Sequence, residues 1–111
     1  MEYRVRLIGM DTPERGEQCF IEASAALADL IPVGTTLYMV PDTRQTDQYQ
    51  RLLRYLYVLQ EDGSLLHVNA AMGEIGQAAA MTISPDTRYA DLFEGLQIEA
   101  QPPACILNST P

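Results

Sequence analysis

The chain has 111 residues, 47% of them apolar and 20% charged, which is one small globular domain rather than a disordered segment. No apolar run is long enough to cross a bilayer, and the amino-terminal residues lack the apolar core of a secretory signal. The chain as written therefore reads as cytoplasmic. A net charge of −8 and a pI near 4.3 exclude binding through a broad basic face and leave only local positive charge for any anionic partner.

In chain order, Tyr3 to Ile8 alternates as a strand. Tyr3, Val5 and Leu7 fall on one face, and Arg4, Arg6 and Ile8 on the other. Gly9 allows a sharp exit, and Asp11 to Gly16 reads as a polar loop whose path Pro13 fixes. Cys19 to Leu30 reads as a helix, with Phe20, Ala23, Leu27 and Leu30 at core-facing spacing. Pro32 and Gly34 stop it. Thr36 to Val40 is a second strand, and Pro41 to Gln50 a polar loop with no apolar anchor, the kind of loop that often carries function. Leu52 to Gln60 is the strongest strand. After the Asp62-Gly63 turn, Leu65 to Val68 returns. Asn69 is placed to cap a short helix that ends at Gly76. Ser84-Pro85 is expected to open the last helix, whose stripe is Tyr89, Leu92, Phe93 and Leu96. Residues 1–101 make the domain and 102–111 a tail. Strands first, then helices, give an α+β class.

Cys19 and Cys105 are too few for a disulfide framework, and two free thiols is the ordinary expectation. With no Cys/His cluster a zinc site is not expected, and the single histidine, His67, reads as a strand residue.

Chemistry concentrates in two places. Asp11, Thr12 and Glu14 form a turn that offers hard oxygen ligands: the Asp11 carboxylate and the Thr12 carbonyl suit calcium. Glu14 would then stand beside the attacking water as base or positioning group. An acidic turn of no special role has the same composition. Downstream, Asp47-Gln48-Tyr49-Gln50-Arg51 adds a second arginine to Arg6. Two guanidinium forks match the non-bridging oxygens of a phosphodiester, and stabilising charge there often supplies the largest part of such catalysis. Their ordinary alternative is surface pairing with carboxylates. Tyr49 could touch phosphate or stack on a base, or simply pack on the domain's rim. Tyr55 and Tyr57 share a strand face and read as core or barrel surface. The acidic helix expected from Asp86 reads as a solvated face.

Arg6-x-x-x-x-Asp11-Thr12-Pro13-Glu14 followed by Asp47-x-Tyr49-x-Arg51 resembles the staphylococcal (micrococcal) nuclease family, the thermonucleases. Glu22-Ala23-Ser24, Leu52 to Tyr57, and Val68-Asn69 with Gly76 extend the resemblance. It implies an OB-fold-like five-stranded barrel with three helices, calcium as cofactor, and DNA and RNA cut preferentially where they are unpaired. Arg6, Glu14 and Arg51 would be catalytic, Asp11, Thr12 and Glu14 the metal ligands, and Tyr49 a substrate contact.

The chain departs from the family pattern in defined ways. Two strands and a metal-binding acid normally precede the arginine strand, and Met1 stands only five residues before Arg6. Gln50 occupies a position where glycine is usual. A barrel short of two strands leaves edges open, so self-association by edge pairing or exchange is expected, unless the chain is a piece of a longer product. A non-catalytic OB-like module that binds nucleic acid or a protein is the alternative function.

Overall fold

The computed structural model describes residues 4–13 and 15–99. It is an α+β domain in the order β1 (Val5–Leu7), β2 (Met10–Asp11), α1 (Phe20–Leu30), β3 (Leu37–Val40), β4 (Leu52–Leu59), β5 (Leu65–His67), α2 (Val68–Glu74), β6 (Ala79–Ala80) and α3 (Ala90–Glu99). The eight-residue β4 is the spine. β3 runs antiparallel along one edge, with Val40 opposite Tyr55 and Leu37 opposite Val58. The other edge takes β1 in parallel over Leu52 to Arg54, then β5 antiparallel over Tyr57 to Leu59. Among the described residues no strand joins β1 to β3, so the sheet does not close into a barrel. Open edges are thus present where two strands were expected to be missing.

Between β1 and β5 the edge of β4 would be left with unpaired backbone groups. Asn69 fills that gap. Its Oδ1 accepts the Leu56 N–H at 2.9 Å, and its Nδ2 donates to the carbonyls of Ile8 at 2.9 Å and Arg54 at 3.2 Å. The residue is 0% exposed. The cap assigned to it from sequence is therefore corrected: α2 starts one residue earlier, at Val68, and the Asn69 amide splices two strands instead of ending a helix.

The core gathers Leu7, Ile8, Met10, Leu53, Tyr55, Leu56, Val58, Val68, Met72, Ala78 and Phe93. Two glycines let it close. Gly9, at φ +79°, turns the chain out of β1, and a Cβ there would overlap the Phe93 ring. Gly73 brings α2 against β2, since a Cβ there would lie 2.8 Å from Met10 Cε. Met81 N–H then donates to Gly9 carbonyl at 2.8 Å and starts the small β2–β6 ladder, Met10 opposite Ala80 and Asp11 opposite Ala79. Two-residue strands carry no periodic signal; Asp11, expected to open a polar loop, is instead the second residue of this ladder.

Three further expectations are corrected. α1 begins at Phe20, with Cys19 at its cap in a left-handed conformation, φ 68°. Cys19 is in a disulfide, not a free thiol; the sequence's other cysteine, Cys105, lies outside the described residues. α3 begins at Ala90 rather than at Pro85. The reason is Asp86, which is 3% exposed instead of lying on a solvated face. Its carboxylate accepts the N–H groups of Thr43 at 3.0 Å and Arg44 at 2.9 Å and pairs with Arg44 Nε at 2.6 Å. With its side chain held there, the Asp86 backbone makes a tight turn instead, its N–H donating to the Ile83 carbonyl at 3.0 Å. The expected tail at 102–111 lies outside the described residues, and no helix among those described is long and apolar enough to cross a membrane.

His67, as expected, sits on a strand. It stacks on Tyr57 at 4.6 Å and meets Tyr89, Phe93 and Tyr55 at 5.1, 5.6 and 5.9 Å. Its Nε2 is buried without a hydrogen-bond partner among the described residues. Burial holds the imidazole below its ordinary range. The sign follows: the unfolded chain binds the proton more readily, so this part of the stability is full above the unfolded pKa of about 6.5 and falls as pH drops below it. Urea unfolding is expected to show a lower midpoint at pH 5.5 than at pH 7.5, with the difference largely lost in His67→Phe. Equal pH dependence in both proteins would remove His67 as the cause.

Candidate functional site

The first half of the site grows out of β1. Alternation puts Arg4, Arg6 and Ile8 on one face. The Arg6 guanidinium turns toward the Gly9 bend, where Nη1 donates to the Met10 carbonyl at 3.3 Å. It borders a notch with Ile8, Gly9, Arg44, Leu53, Met81, Ile83 and Asp86, too small to hold a ligand. Asp11 follows directly in β2 with its side chain exposed, and Thr12 is half-buried. Glu14 lies outside the described residues.

The second half is the loop from Pro41 to Gln50, which is anchored rather than free. At its base Asp42 accepts the Tyr55 hydroxyl at 2.6 Å and the Arg88 N–H at 3.0 Å. Burial would raise the Asp42 carboxyl, but those bonds outweigh it and hold the group below the usual carboxylate range. For Tyr55, burial and then the Asp42 bond push the phenol upward. Tyr55 is core, as one of the two sequence readings had it, and Tyr57 is half-buried with its hydroxyl 3.2 Å from that of Tyr89.

At the far end Asp47 builds the turn that presents Tyr49 and Arg51. One oxygen accepts the N–H groups of Tyr49 at 2.8 Å and Arg51 at 3.0 Å, and the other takes Arg51 Nε at 2.7 Å. Burial, which would raise the Asp47 carboxyl, is outweighed by these bonds, and the group stays below its usual range. An aspartate that bonds the backbone two residues on is a recognisable turn signal, and it was available in the sequence. Gln50 adopts φ 67° to complete the turn. That is the left-handed backbone a glycine would take at no steric cost.

The Arg51 guanidinium lies 5.5 Å from the centre of the Tyr49 ring, and that ring is 60% exposed. Arg4, Tyr49, Gln50 and Arg51 line an open groove of about 470 Å³. Arg6 pairs in register with Leu53, two residues beyond Arg51. Strand geometry therefore puts the Arg6 and Arg51 backbones on the order of 8 Å apart. Long side chains at that spacing could reach one phosphodiester. The structure thus brings Arg51 and Tyr49 together, sets Arg6 and Asp11 on the adjoining strands, and adds Arg4, to which the sequence assigned no role.

The cation site is less complete. Asp11 and Thr12 offer oxygen donors, right in kind for calcium but few in number. Among the described residues no group of three or more His, Cys, Asp or Glu could hold a metal. Asp42 and Asp47, the acids of the loop that borders the groove, are already taken up by Tyr55, Arg88 and Arg51.

Comparison with known families gives one result. The family described as Staphylococcal nuclease homologue matches residues 4–104. A search of curated proteins returns no match.

Proposed function

From the premise that the chain belongs to the staphylococcal nuclease homologue family, we propose that it is a calcium-dependent endonuclease hydrolysing DNA and RNA. The observation that supports this most is the Asp47-built turn, which presents Arg51 and Tyr49 at an open groove beside the strand that carries Arg6. A guanidinium fixed through Nε spends no further ordering cost on being held in place.

In this reading a water oxygen bonds to phosphorus while the bond to the leaving oxygen breaks. Glu14 takes the water's proton. Arg6 and Arg51 stabilise charge on the non-bridging oxygens, and Arg51 also stabilises the leaving oxygen. Asp11 and Thr12, with Glu14, would hold calcium, whose chemical contribution is to neutralise negative charge at the phosphate. Tyr49 contacts the substrate.

Cleavage of single-stranded DNA tests this. Wild-type protein is expected to cleave in calcium and not in EDTA, and Glu14→Gln to lose at least about 100-fold in rate, the scale of a general base. Calcium-independent cleavage, or an unimpaired Glu14→Gln, would refute the mechanism.

A second reading, a non-catalytic OB-like module, draws on the net charge of −8 and the sparse carboxylates of the described site. Calorimetry separates the two, because such a module has no need to bind calcium.

A further inference from the structure

Arg4 stands at the head of β1, where its carbonyl accepts the Leu52 N–H at 2.9 Å. That bond sets Arg4 beside the start of β4, immediately after Arg51. Its Nη2 donates to the Tyr49 carbonyl at 2.9 Å. One such bond engages one of five guanidinium donors. The side chain is exposed and forms a wall of the groove, with Tyr49, Gln50 and Arg51 as the other lining residues. Among the described lining residues there is no carboxylate, in a chain with 15 acids and 7 basic residues.

Of the other cations of this region, Arg44 is paired with Asp86, Arg54 bonds Gln45 and Leu53, and Arg6 lies two residues further along β1 at the proposed cleavage site. The groove therefore holds two arginines, of which Arg51 belongs to the cleavage site. Along β1 the order is Arg4, Arg6, the Gly9 turn, then Asp11. Arg4 is thus at the end away from the cation ligands, on the same face as Arg6 and beside Arg51 across the strand pair.

We propose that Arg4 forms a second phosphate subsite, which holds the phosphate next to the scissile one on a single-stranded polynucleotide. The subsite rests on the reading of Arg51 as a contact to the scissile phosphate. An extended strand entering the groove meets Arg4 with one phosphate and Arg51 with the next, and the exposed Tyr49 ring offers a stacking face for the base between them. The protein's negative body makes each such local contact count, because nothing broad and basic supplements it.

The test reads binding in EDTA, so that cleavage plays no part. A fluorescent single-stranded oligothymidylate is titrated at several salt concentrations against wild type, Arg4→Gln and Arg4→Lys. Wild type is expected to bind with a log K against log salt slope that Arg4→Gln reduces in magnitude by about 0.7, the value for one contact on a single strand. Arg4→Gln is also expected to bind several-fold more weakly, and Arg4→Lys to keep the slope. A merely structural Arg4 would not give that split, because glutamine and lysine both keep a donor for the Tyr49 carbonyl and differ in charge. An unchanged slope in Arg4→Gln, or no binding by wild type, overturns the subsite. The cleavage assay with calcium is independent of this result. A reduced slope without any cleavage refutes hydrolysis and supports the subsite, whereas cleavage with an unchanged slope does the reverse.

Discussion

Replacing Asn69 with alanine is expected to cost about 3 kcal/mol, because each buried polar group left unpaired costs about 1–3 kcal/mol and two groups lose their partner while the Arg54 carbonyl keeps the Ile8 N–H at 3.1 Å. The two are the Leu56 N–H on the β4 edge between β1 and β5, and the Ile8 carbonyl just after β1. No neighbour or water can replace the amide at a residue that is 0% exposed without the sheet parting. Against a typical total of 5–15 kcal/mol this is a large fraction, and thermal unfolding is expected to drop by roughly 15 °C. Asn69→Asp is expected to be no better: it keeps an acceptor for Leu56 but aims a carboxylate oxygen at two carbonyls. Chemical denaturation measures both. A loss below 1 kcal/mol in the alanine variant would show that β1 and β5 hold the edge without the splice.

The second large effect is chemical. Arg51→Ala is expected to lower kcat/KM for single-stranded DNA by about 1,000-fold, the lower end of what a guanidinium contributes at a phosphoryl transition state. Arg51→Lys should recover little of it. An ammonium is a point charge without the planar fork, and it cannot reproduce the Nε bond to Asp47 while keeping donors for phosphate. Asp47→Asn separates position from charge. It retains acceptors for the Tyr49 and Arg51 N–H groups but loses the ion pair, and about a tenfold loss is expected. Circular dichroism should show an unchanged fold in all three. Rates within threefold of wild type for Arg51→Ala would remove the residue from the mechanism.

Residues whose roles are set by near neighbours were legible in the sequence. The alternation of Arg4, Arg6 and Ile8, the helical spacing of Ala23, Leu27 and Leu30, and the apolar run of Leu52 to Leu59 each gave an element close to its observed place. The Asp47 to Arg51 segment was legible too, since its turn is built within five residues. What escaped was set at long range. Asn69 carries a good capping residue's chemistry, but its partner at Ile8 is 61 positions away. Ser84-Pro85 looks like a helix start until Asp86 is seen reaching Thr43 and Arg44 across 42 positions or more. Arg4 was placed on the right face yet given no task, because the Tyr49 carbonyl that orients it lies 45 positions on.

The paired ties of Asp42 to Arg88 and of Asp86 to Thr43 and Arg44 have a consequence for where the molecule can be cut. None of the proposed contact residues lies beyond Arg51, so a fragment ending after β6 would retain every one of them. It would nonetheless lack the ties that Asp86 and Arg88 make to the loop that presents Arg51, and keep those from Leu53, Arg54 and Tyr55. Chemistry and scaffold are thus interleaved along the chain rather than divisible into an amino-terminal reactive half and a carboxy-terminal support. A fragment that keeps these ties has to extend at least through Arg88.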